Sequence, residues 1–465
     1  MAAVAADLDT DGGPPMDIPL RHFIVALGFL FVAAVSGLTG IATTQFPFLP
    51  LAALHLFLVG WVCVTIMGAM TQFVPVWSGV SLHSRRLANG QLWLVAIGVA
   101  GFAAALTAGA LRVAPWFGAL MLVGFWCFGY NIARTLWACD EYDITERHFA
   151  LAVGFLLLVT VLGLLLAIDF MTPLLSTVGL SHVAVRETHA TLAGFGVVVT
   201  TIIGALYQLA TMFTQTDLHG VDISLQRFEA VGYPLGVLAL AAGRLWELAW
   251  LATGGGLLIS AALLGVAVIL ARRLHETKVP WTPMLFRYLV AAVALAGWVI
   301  LAVPTWLTAP LERGALFGGS QAEVVLWVGV VGFVVVGTLY HVIPFIMWVS
   351  RYSDQLGYEP VPMIDDLYSD RLAKLDFGLL TGGTILIIAA RWLGRQPLVI
   401  AGGGLLVAGL SVFGANMLSV IRTHSQKSFG KILLGRALPV ASTTTTATTA
   451  ASDAGTSSGE GNSEK

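Results

Sequence analysis

Residues 55–75 read HLFLVGWVCVTIMGAMTQFVP: a histidine, an apolar run interrupted by Gly60 and Gly68, then Gln72 and Pro75. The same skeleton returns further on, where Gly329, Gly337, His341 and Pro344 keep the intervals of Gly60, Gly68, Gln72 and Pro75. Between them Gly196, Gly204 and Gln208 do so again, with Thr211 in the proline position and His189 two residues before the place that matches His55. A period of about 134 residues that occurs three times describes a chain built from three copies of one unit.

Composition decides what kind of unit this is. Of 465 residues, 57% are hydrophobic and 11% charged, and many apolar runs exceed 18 residues. That excludes a soluble globular protein and leaves an all-α polytopic membrane protein. Hydrocarbon offers no partner to an open backbone group, so each run must close its own hydrogen bonds as a helix. The net charge of −2, with no basic block, gives no reason to expect nucleic acid. Cys63 and Cys127 fall inside apolar runs and Cys139 at the end of one, which makes no disulfide framework.

Window hydropathy predicts spans at 22–42, 51–76, 91–111, 116–137, 149–170, 188–213, 227–246, 249–271, 284–307, 322–349, 375–392 and 398–421. These are twelve transmembrane helices in three pseudo-repeats of four, the weakest being 230–246 and 375–392. Residues 1–20 form a polar tail without a signal-peptide pattern, 21–422 the membrane domain, and 423–465 a second tail whose Thr/Ser/Ala/Gly end predicts disorder. Residues 350–374, with Pro360, Pro362, Asp365, Asp366 and Asp370, read as a solvated connection. Arg85, Arg86, Arg147, Arg227, Arg272, Arg273, Lys278, Arg351, Arg371, Lys374, Arg422, Lys427 and Lys431 all flank even-numbered connections or the C-terminus. By the positive-inside rule both termini are cytoplasmic, and His55 and His189 lie toward the outer surface.

Imidazole is the usual axial ligand of haem iron, and helices of a bundle can clamp a porphyrin between them. A polar group in hydrocarbon is costly, so His55 at the head of a repeated helix is a candidate ligand, although interfacial water could also satisfy it. His341 lies seventeen residues past Val324, the equivalent of His55, or about 25 Å deeper. It is expected to join Gln72 and Gln208 in a hydrogen-bonded ring on the inner half. Asp169, His182, Arg186, Glu187, Arg244, Glu247 and Glu323 gather on the outer side, a cluster that could hold propionates, conduct protons or, as the default, be paired at the interface.

Three sets of four helices, internal termini, and histidines heading the second and sixth helices resemble the catalytic subunit I of the haem-copper oxidase and nitric oxide reductase superfamily. The resemblance covers about residues 22–421 and rests on layout. It implies that His55 is an axial ligand of a low-spin haem b, and that His189 stands where the family has a ligand of its copper or non-haem iron. It also implies that Arg391 and Arg395 hold haem propionates, and that a redox subunit or small electron carrier is the partner in the plasma membrane. The chain departs from the family in two places. Residues 226–246 contain no histidine, and Ser320, Gln321, Glu323 and Val324 stand where a His-x-His pair belongs. His341, in Leu339-Tyr340-His341, is too deep to replace either member. The resemblance therefore implies a b-type haem electron-transfer protein without a complete oxygen- or nitric-oxide-reducing site; copper is not expected, and catalytic residues are unassigned. A non-catalytic assembly or partner subunit is one alternative. The other is a twelve-helix secondary transporter, whose two halves would give a twofold repeat instead of a threefold one.

Overall fold

The computed structural model describes residues 16–434; most of the N-terminal tail and the low-complexity end of the chain, expected to be disordered, lie outside the described residues. Among the described residues there is no β-strand. The long helices are α1 (Asp17–Ala42), α2 (Leu49–Ser78), α3 (Arg85–Thr107), α4 (Ala114–Leu136), α5 (Ile144–Asp169) and α6 (His182–Thr214). They continue as α7 (Val221–Leu245), α8 (Ala249–His275), α9 (Pro283–Thr308), α10, α11 (Asp370–Trp392) and α12 (Gln396–His424), followed by a short α13 (Phe429–Leu434). Helix α10 runs without a break through Ser320–Val324, Val325–Gly332 and Phe333–Tyr352.

Among the described residues eleven helices are long and apolar enough to cross a bilayer, so the chain is a multi-pass membrane protein. The sequence predicts twelve spans; the one that falls short is α7. It is a continuous helix of 25 residues, but Asp222, Arg227, Glu229 and Arg244 dilute its hydropathy, as do Pro234 and its glycines. Of those four charges, Asp222, Glu229 and Arg244 are buried against neighbouring helices. The weak signal at α11 has a similar origin, since the helix begins five residues before the predicted span and buries Asp376.

The threefold period is visible in the backbone. Helices α2, α6 and α10 each contain one eight-residue π-helical stretch, at Leu56–Cys63, Leu192–Val199 and Val325–Gly332. Gly60, Gly196 and Gly329 are the fifth residue of each stretch. π-helical turns are rare, so three at one repeat position mark equivalent structures. Each preceding helix is seated in one register: a Cβ at Gly60, Gly196 or Gly329 would meet Phe29, Phe155 or Ala294, at 2.7, 2.9 and 2.9 Å. At Gly68, Gly204 and Gly337 it would meet His22, His148 and Arg287, at 2.6, 2.6 and 3.1 Å. Glycine at these six places is what lets α1, α5 and α9 approach so closely.

The helical hairpins repeat too. Asn131 of α4 accepts from Ser84 N at 2.9 Å and donates to Ser84 O at 3.0 Å. Asn416 of α12 does the same with Ser369, at 3.0 Å both ways. In the middle copy Asp222 takes the serine position and pairs with Arg272 and Arg273 of α8, both at 2.7 Å. Helix α5 starts with a capping box: Asp143 Oδ1 accepts from Thr145 N and Glu146 N, while Glu146 Oε2 accepts from Asp143 N. Asp143→Ala is expected to lower stability by about 1 kcal/mol, read as a lower unfolding midpoint in detergent; an unchanged midpoint would show that the cap contributes nothing.

Candidate functional site

Two sets of polar side chains lie inside the bundle, one toward each end. The near face is the end where α1, α5 and α9 begin; the far face is opposite.

His55 and His189 lie toward the far face, just ahead of the π stretches of α2 and α6. His55 Nδ1 is 2.9 Å from Leu51 O and His189 Nδ1 is 3.0 Å from Val159 O. A carbonyl oxygen can only accept, so in both rings Nδ1 carries the hydrogen and Nε2 keeps its lone pair. The His55 ring packs 5.0 Å from Phe102, and the His189 ring lies over Gly163, where a Cβ would be 2.9 Å from its Cε1. Both residues are half-buried. The third copy has Val324 at this position.

The other candidates are placed differently. Arg391 donates to Ser320 O of α10 at 2.8 Å, and Arg395 is exposed at the start of α12. His341 packs 4.3 Å from the Phe213 ring and is stacked on Phe345. The expected ring of Gln72, Gln208 and His341 is not hydrogen-bonded: His341 makes aromatic contacts instead, and Gln72 Oε1 has no partner. Of the far-face cluster, Asp169 is bonded to Leu174 N, Leu175 N and His182, and Arg186 lies 3.5 Å from Glu187. Arg244, 2% exposed, bonds Thr191 Oγ1 at 2.5 Å and Ala315 O at 3.1 Å. Beside Arg244, Phe195, Trp298, Trp306, Phe317 and Trp327 pack with ring centroids 4.9–5.9 Å apart. They fill the space between α6, α9 and α10.

Toward the near face lies a set that reading from the second helix of each unit misses. His22, His148 and Arg287 occupy one repeat position, each bonded to the carbonyl four residues back, at 2.8, 2.7 and 2.7 Å. On the third helix of each unit stand Gln91, Glu229 and Asp376, all fully buried. His148 Nε2 is 3.0 Å from Glu229 Oε1, and Tyr207 donates to Glu229 Oε2 at 2.9 Å. Arg287 pairs with Asp376, which also accepts from Tyr340. His22 Nε2 and both polar atoms of the Gln91 amide have no partner. The signal was present in the sequence, because RHFIVALGFL at 21–30 and RHFALAVGFL at 147–156 share seven of ten residues. At the near face itself, the hydrogen bond from His219, with help from Arg273, holds the Glu276 carboxyl below the usual carboxylate range.

Among the described residues no three His, Cys, Asp or Glu side chains converge as a metal-binding set. No protein-family model matches the chain, and no curated protein matches it.

Proposed function

We propose that this protein is a b-type haem-binding electron-transfer protein of the plasma membrane. It is built on the plan of haem-copper oxidase subunit I but lacks a complete oxygen- or nitric-oxide-reducing site. On this reading α7 is the twelfth span, the near face is cytoplasmic, and His55 and His189 lie in the outer half.

The observation that carries the proposal is the state of the two imidazoles. A ligating histidine needs a free nitrogen and a second nitrogen that fixes the tautomer and the ring. Leu51 O and Val159 O do this for His55 and His189, whose Nε2 atoms would hold the haem iron. The haem would supply a one-electron carrier between a donor subunit or small carrier protein and an acceptor. The chain's own part is to hold the rings, keep the site apolar and limit water. The threefold backbone repeat weighs against a carrier made of two halves.

A reduced-minus-oxidised visible spectrum with a pyridine haemochrome assay tests this. The expected result is one haem b per chain, lost in His55→Ala and in His189→Ala while the unfolding midpoint stays measurable. A spectrum with no α-band from folded protein made with ample haem would leave the assembly-subunit reading in its place.

A further inference from the structure

We infer that His148, Glu229 and Tyr207 form a proton-binding site inside the bundle, one that neither of its two repeat equivalents can form. The inference is independent of whether haem is bound.

His148 Nδ1 is fixed as a donor by Ile144 O, so the proton this ring can gain or lose belongs to Nε2. Nε2 lies 3.0 Å from Glu229 Oε1, with the two side chains 4% and 0% exposed. A bare imine nitrogen and a carboxylate oxygen are both acceptors and repel at that distance. The contact is attractive only when one proton lies between them, as imidazole with carboxylic acid or as imidazolium with carboxylate. Binding that proton forms one N–H or O–H bond and brings the buried pair from a net charge of −1 to zero. Tyr207 donates to the other carboxylate oxygen and stabilises either form.

The other two copies reach neutrality without a dissociable proton. Arg287 and Asp376 do so as a fixed ion pair, since a guanidinium keeps its proton in a protein. Beside His22, which is bonded through Nδ1 to Ile18 O, the buried Gln91 amide brings no carboxylate charge to be balanced. Only the middle copy has to take a proton from outside to become neutral.

Polar groups lie between the cluster and the near face. Tyr207 and Arg273 both line one small cavity of about 10 Å³ between α6 and α8, room for roughly one water, whose remaining wall is apolar except for Thr211. Arg273 in turn contacts Asp222 at 2.7 Å, Glu276 at 3.0 Å and His219 at 3.3 Å, and the His219 side chain is 58% exposed. The other groups around the cluster are engaged elsewhere. Tyr233 of α7 donates to Phe195 O, Asp143 and Glu146 are held in the α5 cap, and Ser78 of α2 bonds Glu146. Arg134 of α4 lies over Trp137.

The test is an infrared pH titration of the full chain in lipid vesicles, in H₂O and D₂O. The wild type is expected to show a deuterium-sensitive band from a carboxyl or imidazole proton, which disappears as pH is raised. Glu229→Gln copies the first repeat and His148→Arg copies the third, so each places in the middle copy a side chain the fold already accommodates. Both are expected to lose the titrating band, with His148→Arg showing an ionised carboxylate throughout. Persistence of the band in either folded variant overturns the inference. So does a wild-type spectrum with no such titration between about pH 5 and 10, a result that needs no variant at all.

Discussion

Arg287→Ala is expected to destabilise the protein by about 3–5 kcal/mol, the cost of leaving one member of a buried ion pair uncompensated. The Arg287 side chain is 1% exposed and that of Asp376 0%. The guanidinium donates to Pro283 O at 2.7 Å and Ala373 O at 2.9 Å as well as to Asp376, and it lies 4.4 Å over the Tyr340 ring. Removing it strands the Asp376 carboxylate, with only Tyr340 to donate to it, and empties a space of side-chain size. Adding Asp376→Leu to an Arg287→Met background should recover most of the loss, because an apolar pair of similar volume carries no desolvation cost. Unfolding midpoints in mixed micelles decide the matter. If the single and double variants melt together, the pair does not hold α9 to α11 in the way described.

Gly255→Val is expected to cost about 3 kcal/mol, at the upper end for an overpacked site, because the atoms it would strike are backbone and cannot turn aside. A Cβ there would lie on Leu240 N, 2.7 Å from Gly236 O and 2.9 Å from Ala239 C. Gly243 is in the same situation one turn away, with Ala252 Cα 2.8 Å from the place its Cβ would take. Helices α7 and α8 therefore touch along their main chains, the close approach that small residues allow between membrane helices. Gly254→Val is the control. It sits next door with nothing within 4 Å of its Cβ position and should stay within about 0.5 kcal/mol of the parent. Equal yields and midpoints for the two valine variants would rule out backbone contact as the reason for glycine at 255.

What the sequence made legible follows from where packing permits only one residue type. Gly60, Gly68 and their equivalents stand under a side chain of the preceding helix, so no other residue fits and the spacing survives in all three copies. The facing position tolerates His22, His148 or Arg287, and a repeat read by identity loses it at the third copy. Hydropathy undervalued α7 because a window sum treats Asp222, Glu229 and Arg244 as facing lipid, whereas all three are paired or hydrogen-bonded within the bundle. The ring expected of Gln72, Gln208 and His341 failed by one residue. The groups that bond across helices are Tyr207 and Tyr340, which the same spacing places next to Gln208 and His341. His55 and His189 were readable as candidates, but the carbonyl that orients the His189 ring, Val159 O on the neighbouring helix, was not, since it depends on how α5 and α6 pack.

The π stretches have a further consequence, which is one of counting. On α1 the two contacts with α2, at Phe29 and His22, are seven residues apart, but on α2 the glycines that receive them, Gly60 and Gly68, are eight apart. The same mismatch separates Phe155 and His148 from Gly196 and Gly204, and Ala294 and Arg287 from Gly329 and Gly337. In a regular helix the surplus residue would turn the second glycine about 100° away from its contact. The wider turns of Leu56–Cys63, Leu192–Val199 and Val325–Gly332 absorb it, like a vernier between two scales of unequal division. A single-residue deletion in one of these stretches would therefore not simply shorten a helix; it would rotate the half bearing His55 or His189 against the half that bears the second glycine.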